Sequence, residues 1–232
     1  MKKSVFILLC MLCSSFTFCT AQQLDMQHNM FRSGDVIKKV LCTLTEESTD
    51  CKETKLWTIH GKDDDMSVLQ KFYQSNDSLR NIYFSERNAL NHFSLENNVL
   101  KLSVKEDNQT YIRYDLQEPI LMFPFSYGDR ISGMFHGTGT FCDKLRVRSC
   151  GSYSLCADEL GSLVTIDGDT LHNVICLRAL RYENVSYFPR EQVPSNYGVF
   201  TDDSIRTCIS SDTLVLQEDF CRWYAPGYRY PV

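Results

Sequence analysis

Polar and apolar side chains alternate along much of this chain, and a period of two predicts strands with one face buried and one wet. The stretch "VLKLSVKE" (99–106) sets Leu100, Leu102 and Val104 on one side and Val99, Lys101, Ser103 and Lys105 on the other. In "TYIRYDL" (110–116), Ile112, Tyr114 and Leu116 oppose Tyr111, Arg113 and Asp115, and in "DKLRVRS" (143–149), Leu145 and Val147 oppose Arg146 and Arg148. Asn97-Asn98 predicts a hairpin joining "HFSLE" to "VLKLSV", because Asn tolerates the positive φ of a tight turn.

Two stretches need separate treatment. In "DDDMSVLQKFYQS" (63–75), Met66, Leu69, Phe72 and Tyr73 recur at helical spacing behind acidic residues, which predicts a short helix or a loop. In "GSLVTIDGDTLHNVICLRALRY" (161–182), Asp167-Gly168 between apolar strands is a strong hairpin signal. A two-residue loop there would place Ile166 opposite Asp169, Val164 opposite Leu171 and Leu163 opposite His172. The second strand, running to about Tyr182, is apolar on both faces: Ile175, Leu177 and Ala179 on one, Val174, Cys176 and Leu180 on the other. That pattern belongs to a central strand covered on both sides. A calcium loop would need Asp-x-Asp-x-Asp-Gly and a distal Glu, so Asp167 and Asp169 are read as turn residues.

The glycines around His136 in "GMFHGTGTF" (133–141) are read as a bend or bulge, since a phosphate cradle leads into a helix and usually carries a Lys. The fold class expected is all-β: a curved antiparallel sheet, β-sandwich or half-barrel of many short strands with at most one short helix. No linker or repeat divides residues 22–232, which are expected to form one domain.

The N-terminus sets the compartment. Lys2 and Lys3 precede an apolar run from Val5 to Phe18, with small residues up to Ala21, as in a signal peptide spanning 1–21. The run is short for a membrane span, which takes about 20 apolar residues. Cys10, Cys13 and Cys19 each follow a large residue (Leu9, Leu12 and Phe18), which argues against a lipid anchor. Export is expected, to periplasm, cell surface or medium. Acidic residues outnumber basic ones, 29 to 24, and no basic stripe suits a nucleic acid. In an exported chain Cys42, Cys51, Cys142, Cys150, Cys156, Cys176, Cys208 and Cys221 are disulfide candidates. Chain proximity favours Cys42–Cys51, Cys208–Cys221 and a bridge among Cys142, Cys150 and Cys156. No Cys-x2-Cys or His-x3-His pair suggests zinc, and neither metal nor cofactor is expected.

Four elements, "FRSGDVIKK" (31–39), "FPFSYGDRISGMFHGTGTFC" (123–142), "GSLVTIDGDTLHNVICLRALR" (161–181) and "WYAPGYRYPV" (223–232), resemble a family of exported β-rich proteins of gut bacteria with no assigned function. The resemblance implies a β fold and export, and supplies no active site. The chain departs from that pattern at "LWTIHG" (56–61), where relatives carry a segment like "WDFS", and at Val232, beyond which relatives are expected to continue. Ser78, Thr170, Ser204 and Thr213 each follow Asp and precede an aliphatic residue, similar to the O-glycan acceptor pattern of exported proteins in this bacterial group.

Catalytic signatures are missing from the sequence. His28, His60, His92, His136 and His172 are scattered, with no His-Glu-x-x-His or Gly-x-Ser-x-Gly unit. The aromatic ending "FCRWYAPGYRYPV" has two readings. Exposed, Trp223, Tyr228 and Tyr230 would stack on sugar rings; buried, they would close a strand edge. The function expected is a non-catalytic exported β protein that binds a glycan, a lipid or an envelope protein, or serves the envelope structurally. A carbohydrate-binding module using the C-terminal aromatics is the first alternative, and a hydrolase with a site assembled from distant residues the second.

Overall fold

The computed structural model describes residues 23–48, 55–74, 81–195, 197–198, 200–211 and 215–232. Residues 1–21, read from sequence as a signal peptide, lie outside these residues, as do Cys51, Ser78 and Thr213, so the expected Cys42–Cys51 bridge and two of the four expected glycan acceptors fall there too.

The chain is all-β, with twelve strands and two short α-helices among the described residues. A two-residue strand β1 (Gln23–Leu24) leads into the single-turn α1 (Met26–Asn29), capped by the Asp25 carboxylate on the His28 amide. Strands β2 (Val36–Ser48), β3 (Lys55–Gln74), β4 (Asn81–Glu86), β5 (Ala89–Glu96), β6 (Val99–Glu106) and β7 (Thr110–Met122) form a meander. After β8 (Phe125–Ser126), which pairs with β1, come β9 (Arg130–Phe141), β10 (Leu145–Val164) and β11 (Thr170–Pro189). Helix α2 (Asp202–Ser211) and strand β12 (Val215–Tyr224) complete the chain. The large sheet runs β12-β11-β10-β9-β7-β6-β5-β4-β3-β2.

Several strands are long rather than short. β3, β10 and β11 each span 20 residues, and their length lets one strand serve different neighbours along its course. The first half of β10 pairs with β9, while Gly161–Val164 pairs in parallel with Lys55–Thr58 of β3. This contact closes the hydrogen-bonded network on itself through β3, β4, β5, β6, β7, β9 and β10. Gly161 permits the closure, because a Cβ there would lie 2.1 Å from the Lys55 carbonyl oxygen.

The curled sheet encloses one main core that includes Phe93, Leu100, Leu121, Phe135, Val147, Ile175 and Leu177. A smaller cluster of Trp57, Leu163, Val174, Cys176 and Ala225 sits by the closure. β11 supplies both, Ile175 and Leu177 to the first and Val174 and Cys176 to the second, as the two-faced apolar pattern predicts for a covered central strand.

The hairpin at Asn97-Asn98 forms with both residues at positive φ, 50° and 64°, and Glu96 opposite Val99. The Asp167-Gly168 turn forms too, but in a register shifted by one. Leu163 faces Leu171 and Val164 faces Thr170, and the loop holds three residues, Ile166, Asp167 and Gly168. The Gly168 amide donates to the Thr165 carbonyl and Gly168 takes φ 88°, the geometry of a type I turn followed by a left-handed residue. A register shift between Gly161 and Leu163 then returns the strands to the register expected for a two-residue loop, with Gly161 opposite Val174.

Two expectations fail for stated reasons. Residues 63–74 are strand and not helix: β3 runs to Gln74, because pairing with β2 and β4 on its two edges overrides helical spacing. Leu116, expected inside, is 42% exposed, since a register shift between Tyr114 and Leu116 reverses the alternation. That shift lies opposite Gly137 and His136, so the glycine-rich stretch does face a bulge, carried by the partner strand.

Candidate functional site

An open concavity lies on the outer face of β3 and β4. Strand pleating sends Phe72 inward, where it is 2% exposed, and turns Leu69, Lys71 and Tyr73 outward. Ser67, Val68, Leu69, Lys71 and Tyr73 of β3, Ser85 of β4 and Arg87 of the following turn line an open groove of about 580 Å³. Lys71 pairs across the strands with both Val36 and Ser85. Val36, Leu69 and Tyr73 are 57%, 52% and 46% exposed, an apolar surface at the mouth of a groove whose described charged lining is cationic. At its rim Lys39 holds Glu86 at 2.5 Å, which keeps that carboxylate engaged. Arg87 sits at φ 54° in the two-residue β4–β5 turn. The groove therefore offers a stacking ring, two cations and two hydroxyls on one surface.

The C-terminal aromatics do not form an open platform. Tyr230 stacks on Phe72 at 5.1 Å and its hydroxyl donates to Asp35. Burial pushes the Tyr230 hydroxyl up to about 12, while the hydrogen bond from Tyr230 holds the Asp35 carboxyl below its ordinary range. Trp223 packs beside Trp57 at 6.1 Å. Of the three residues only Tyr228 is exposed. Arg229 donates to the Met30 and Gln27 carbonyls, and Asn29 donates to the Tyr228 carbonyl. The ending is thus a strap across the N-terminal segment, and it joins the "GYRYP" stretch to "FRSGD".

Two acidic residues, Glu118 and Glu183, converge on a buried arginine. Arg181 donates to Glu118 at 2.8 Å and to Glu183, and its guanidinium lies 4.2 Å from the Phe135 ring centroid. Ser149 donates to the other oxygen of Glu183. Burial raises the Glu118 carboxyl above its ordinary range. Burial also opposes ionisation of Glu183, but the hydrogen bond and charge of Arg181 outweigh it and hold that carboxyl low. Tyr114, buried beside Glu183, is pushed up to about 12.

On the opposite face of the sheet, His136 Nδ1 lies 2.7 Å from the Asp115 carboxylate and its ring stacks on Phe200 at 4.6 Å. His136 Nε2 is buried and lacks a partner among the described residues. Arg148 covers Phe200 on the same face, 4.5 Å from its centroid.

No family model, curated protein or solved structure matches this chain. The site rests on its own geometry.

Among the remaining residues singled out from sequence, Asp167 and Asp169 lie exposed at the hairpin turn. Thr170 is exposed at the start of β11, whereas the Ser204 hydroxyl is engaged in capping α2, accepting from the Thr201 amide and donating to its carbonyl. Among the described cysteines no disulfide is present. Cys208 and Cys221, paired by chain proximity, instead meet Cys150 and Cys176 respectively.

Helical spacing over 63–75 sets Leu69 and Tyr73 beside Phe72 on one helix face and passes over Lys71, while Arg87, in the turn after β4, carries no periodic signal. The alternation of Leu69, Lys71 and Tyr73 around Phe72 was the signal available. Parity also announced the buried charges, since Arg181 and Glu183 continue the inward series Ile175, Leu177 and Ala179.

Proposed function

We propose that this chain is an exported, non-catalytic β domain that binds an acidic glycan in the groove of β3 and β4. The observation that carries the reading is the meeting of Tyr73, Lys71 and Arg87 on one open surface. An aromatic face stacks on a sugar ring, cations hold carboxylate or sulfate groups, and Ser67 and Ser85 match sugar hydroxyls. Charge selects the ligand class: the whole chain carries a formal −5, yet the described charged residues lining the groove are both positive. Export is supported by the basic and apolar N-terminal residues and by the family resemblance. A non-catalytic role is supported by the use of Glu118 and Glu183, both of which are buried and engaged by Arg181.

A glycan array with neutral and acidic members, probed with the purified protein, tests the reading. Binding should concentrate on acidic glycans, weaken with added salt, and fall at least about tenfold in K71A/R87A and in Y73A. Bound glycan should be recovered uncut. Absence of acidic ligands, or binding indifferent to both variants, contradicts the proposal.

A second reading, an envelope-structural role, is favoured by β2. Among the described residues this 13-residue strand ends the sheet and pairs with β3 alone, and it exposes Leu41 and Leu44. Such an edge is suited to addition of a partner strand.

A further inference from the structure

Two pairs of cysteines, far apart in the chain, are brought together by the fold. Cys150 lies on the outer face of β10, directly opposite His136 of β9, and is fully buried. Helix α2 packs against this face, with Ile205 completely covered. Cys208 of the same helix lies within 4.0 Å of Arg148, two residues from Cys150 and on the same side of the strand. The second pair sits near the closure. Cys176 of β11 faces Trp223 and Cys221 of β12 faces Arg178, so the two cysteines are diagonal neighbours. Cys176 is fully buried and Cys221 packs against it in the cluster around Trp57.

We propose that Cys150 pairs with Cys208, and Cys176 with Cys221, as two disulfides. The first fastens α2 to the outer face of the sheet, and the second fastens the edge strand β12 to β11. Each pair combines a buried thiol with a partly exposed one, a division of labour that suits thiol–disulfide exchange. The oxidant is a disulfide, either small or carried by an oxidoreductase of an oxidising compartment. The thiolate of Cys221 attacks one sulfur of that disulfide and expels the other as a thiolate, leaving a mixed disulfide. Cys176, deprotonated, then attacks the Cys221 sulfur and expels the second thiolate. Two protein thiols lose two protons and two electrons, and one disulfide becomes two thiols. Cys208 and Cys150 react in the same order.

The local electrostatics agree with that order. A hydrogen bond from Cys176 holds the Cys221 thiol below its ordinary range, and burial pushes Cys150 up to about 12. The accessible member of the second pair is the one that ionises first, and Arg148 stands beside the accessible member of the first.

Peptide mapping tests the pairing on the full chain recovered from an oxidising compartment, alkylated in urea without reductant. Linked peptides containing Cys150 with Cys208 and Cys176 with Cys221 are expected. Alkylated Cys150 and Cys176, or links from either to another cysteine, overturn the proposal. The bridges close loops of roughly 60 and 45 residues, so reductant should lower the Tm of the wild type by about 10 °C or more. The variant with all four cysteines replaced by serine should not respond. An equal response of that variant to reductant also overturns the pairing.

Discussion

Charge is used in opposite ways on the two sides of this sheet. Inside, Arg181 is 7% exposed and its hydrogen bonds go to Glu118, Glu183 and Glu218. Outside, Lys71 and Arg87 stand at an open groove beside exposed Tyr73 and Leu69. A buried charge must be paired because its desolvation is not otherwise recovered, so its geometry is fixed by the fold. An exposed cation has no such obligation and remains available to a ligand. The same residue types are structural on one face and free for recognition on the other.

The largest effect expected from this contrast is inside. R181M leaves Glu118 and Glu183 buried with no cation between them and should cost about 3–5 kcal/mol. Urea denaturation would measure the loss. Converting the triad together, as R181M/E118L/E183M, should restore most of it, because the uncompensated charges leave with their partner. Failure of R181M to destabilise would break the comparison.

E183Q should cost about 2 kcal/mol at pH 7 by removing charge-assisted bonds to Arg181 and Ser149. The sign with pH follows from the low folded-state affinity of Glu183 for its proton. Its stabilisation is fully present above the unfolded pKa and is lost as pH falls through the folded value. The gap between E183Q and wild type should therefore close as pH falls below the ordinary glutamate range. Glu118 has the reverse sign: its raised pKa makes its contribution less favourable as pH rises past the unfolded value. Unfolding curves of both single Gln variants across pH separate the two.

A smaller effect lies at the turn. Gly168 holds φ 88°, so G168A should cost about 1 kcal/mol in thermal or urea unfolding. Smallest of all, K71A/R87A should stay within about 0.5 kcal/mol of wild type while losing glycan binding. A large stability loss there would place the groove cations on the structural side of the comparison.

Much of the fold was readable in the alternation of side chains. Leu100, Leu102, Ile112, Tyr114 and Val147 all lie buried on the faces their spacing assigned. Asn97-Asn98 and Asp167-Gly168 both turn the chain, since turn chemistry is local. Strand length was less legible. A strand of 20 residues exchanges partners along its course, and alternation carries no mark of where one neighbour ends and another begins. The hairpin register went astray by one residue because Ile166, an apolar residue, belongs to the loop. The closure of β3 on β10 is a contact across more than 100 residues, invisible to any window of sequence. Shorter separations, 58 and 45 residues, hid the Cys150–Cys208 and Cys176–Cys221 meetings, for which chain proximity was a poor guide. At the C-terminus the composition was read correctly as aromatic and amphipathic, but only packing decides that Tyr230 stacks inward and Tyr228 remains outside.

The central claim is that recognition belongs to the outer groove and not to the core or the C-terminal strap. Backbone amide chemical shifts of labelled protein, recorded while the best acidic glycan from the array is titrated in, test it most directly. The account predicts saturable shifts confined to 67–73, Ser85, Arg87 and their neighbours on β2. Shifts centred instead on Tyr228 and the strap, or a titration that moves none of the groove amides, would contradict it.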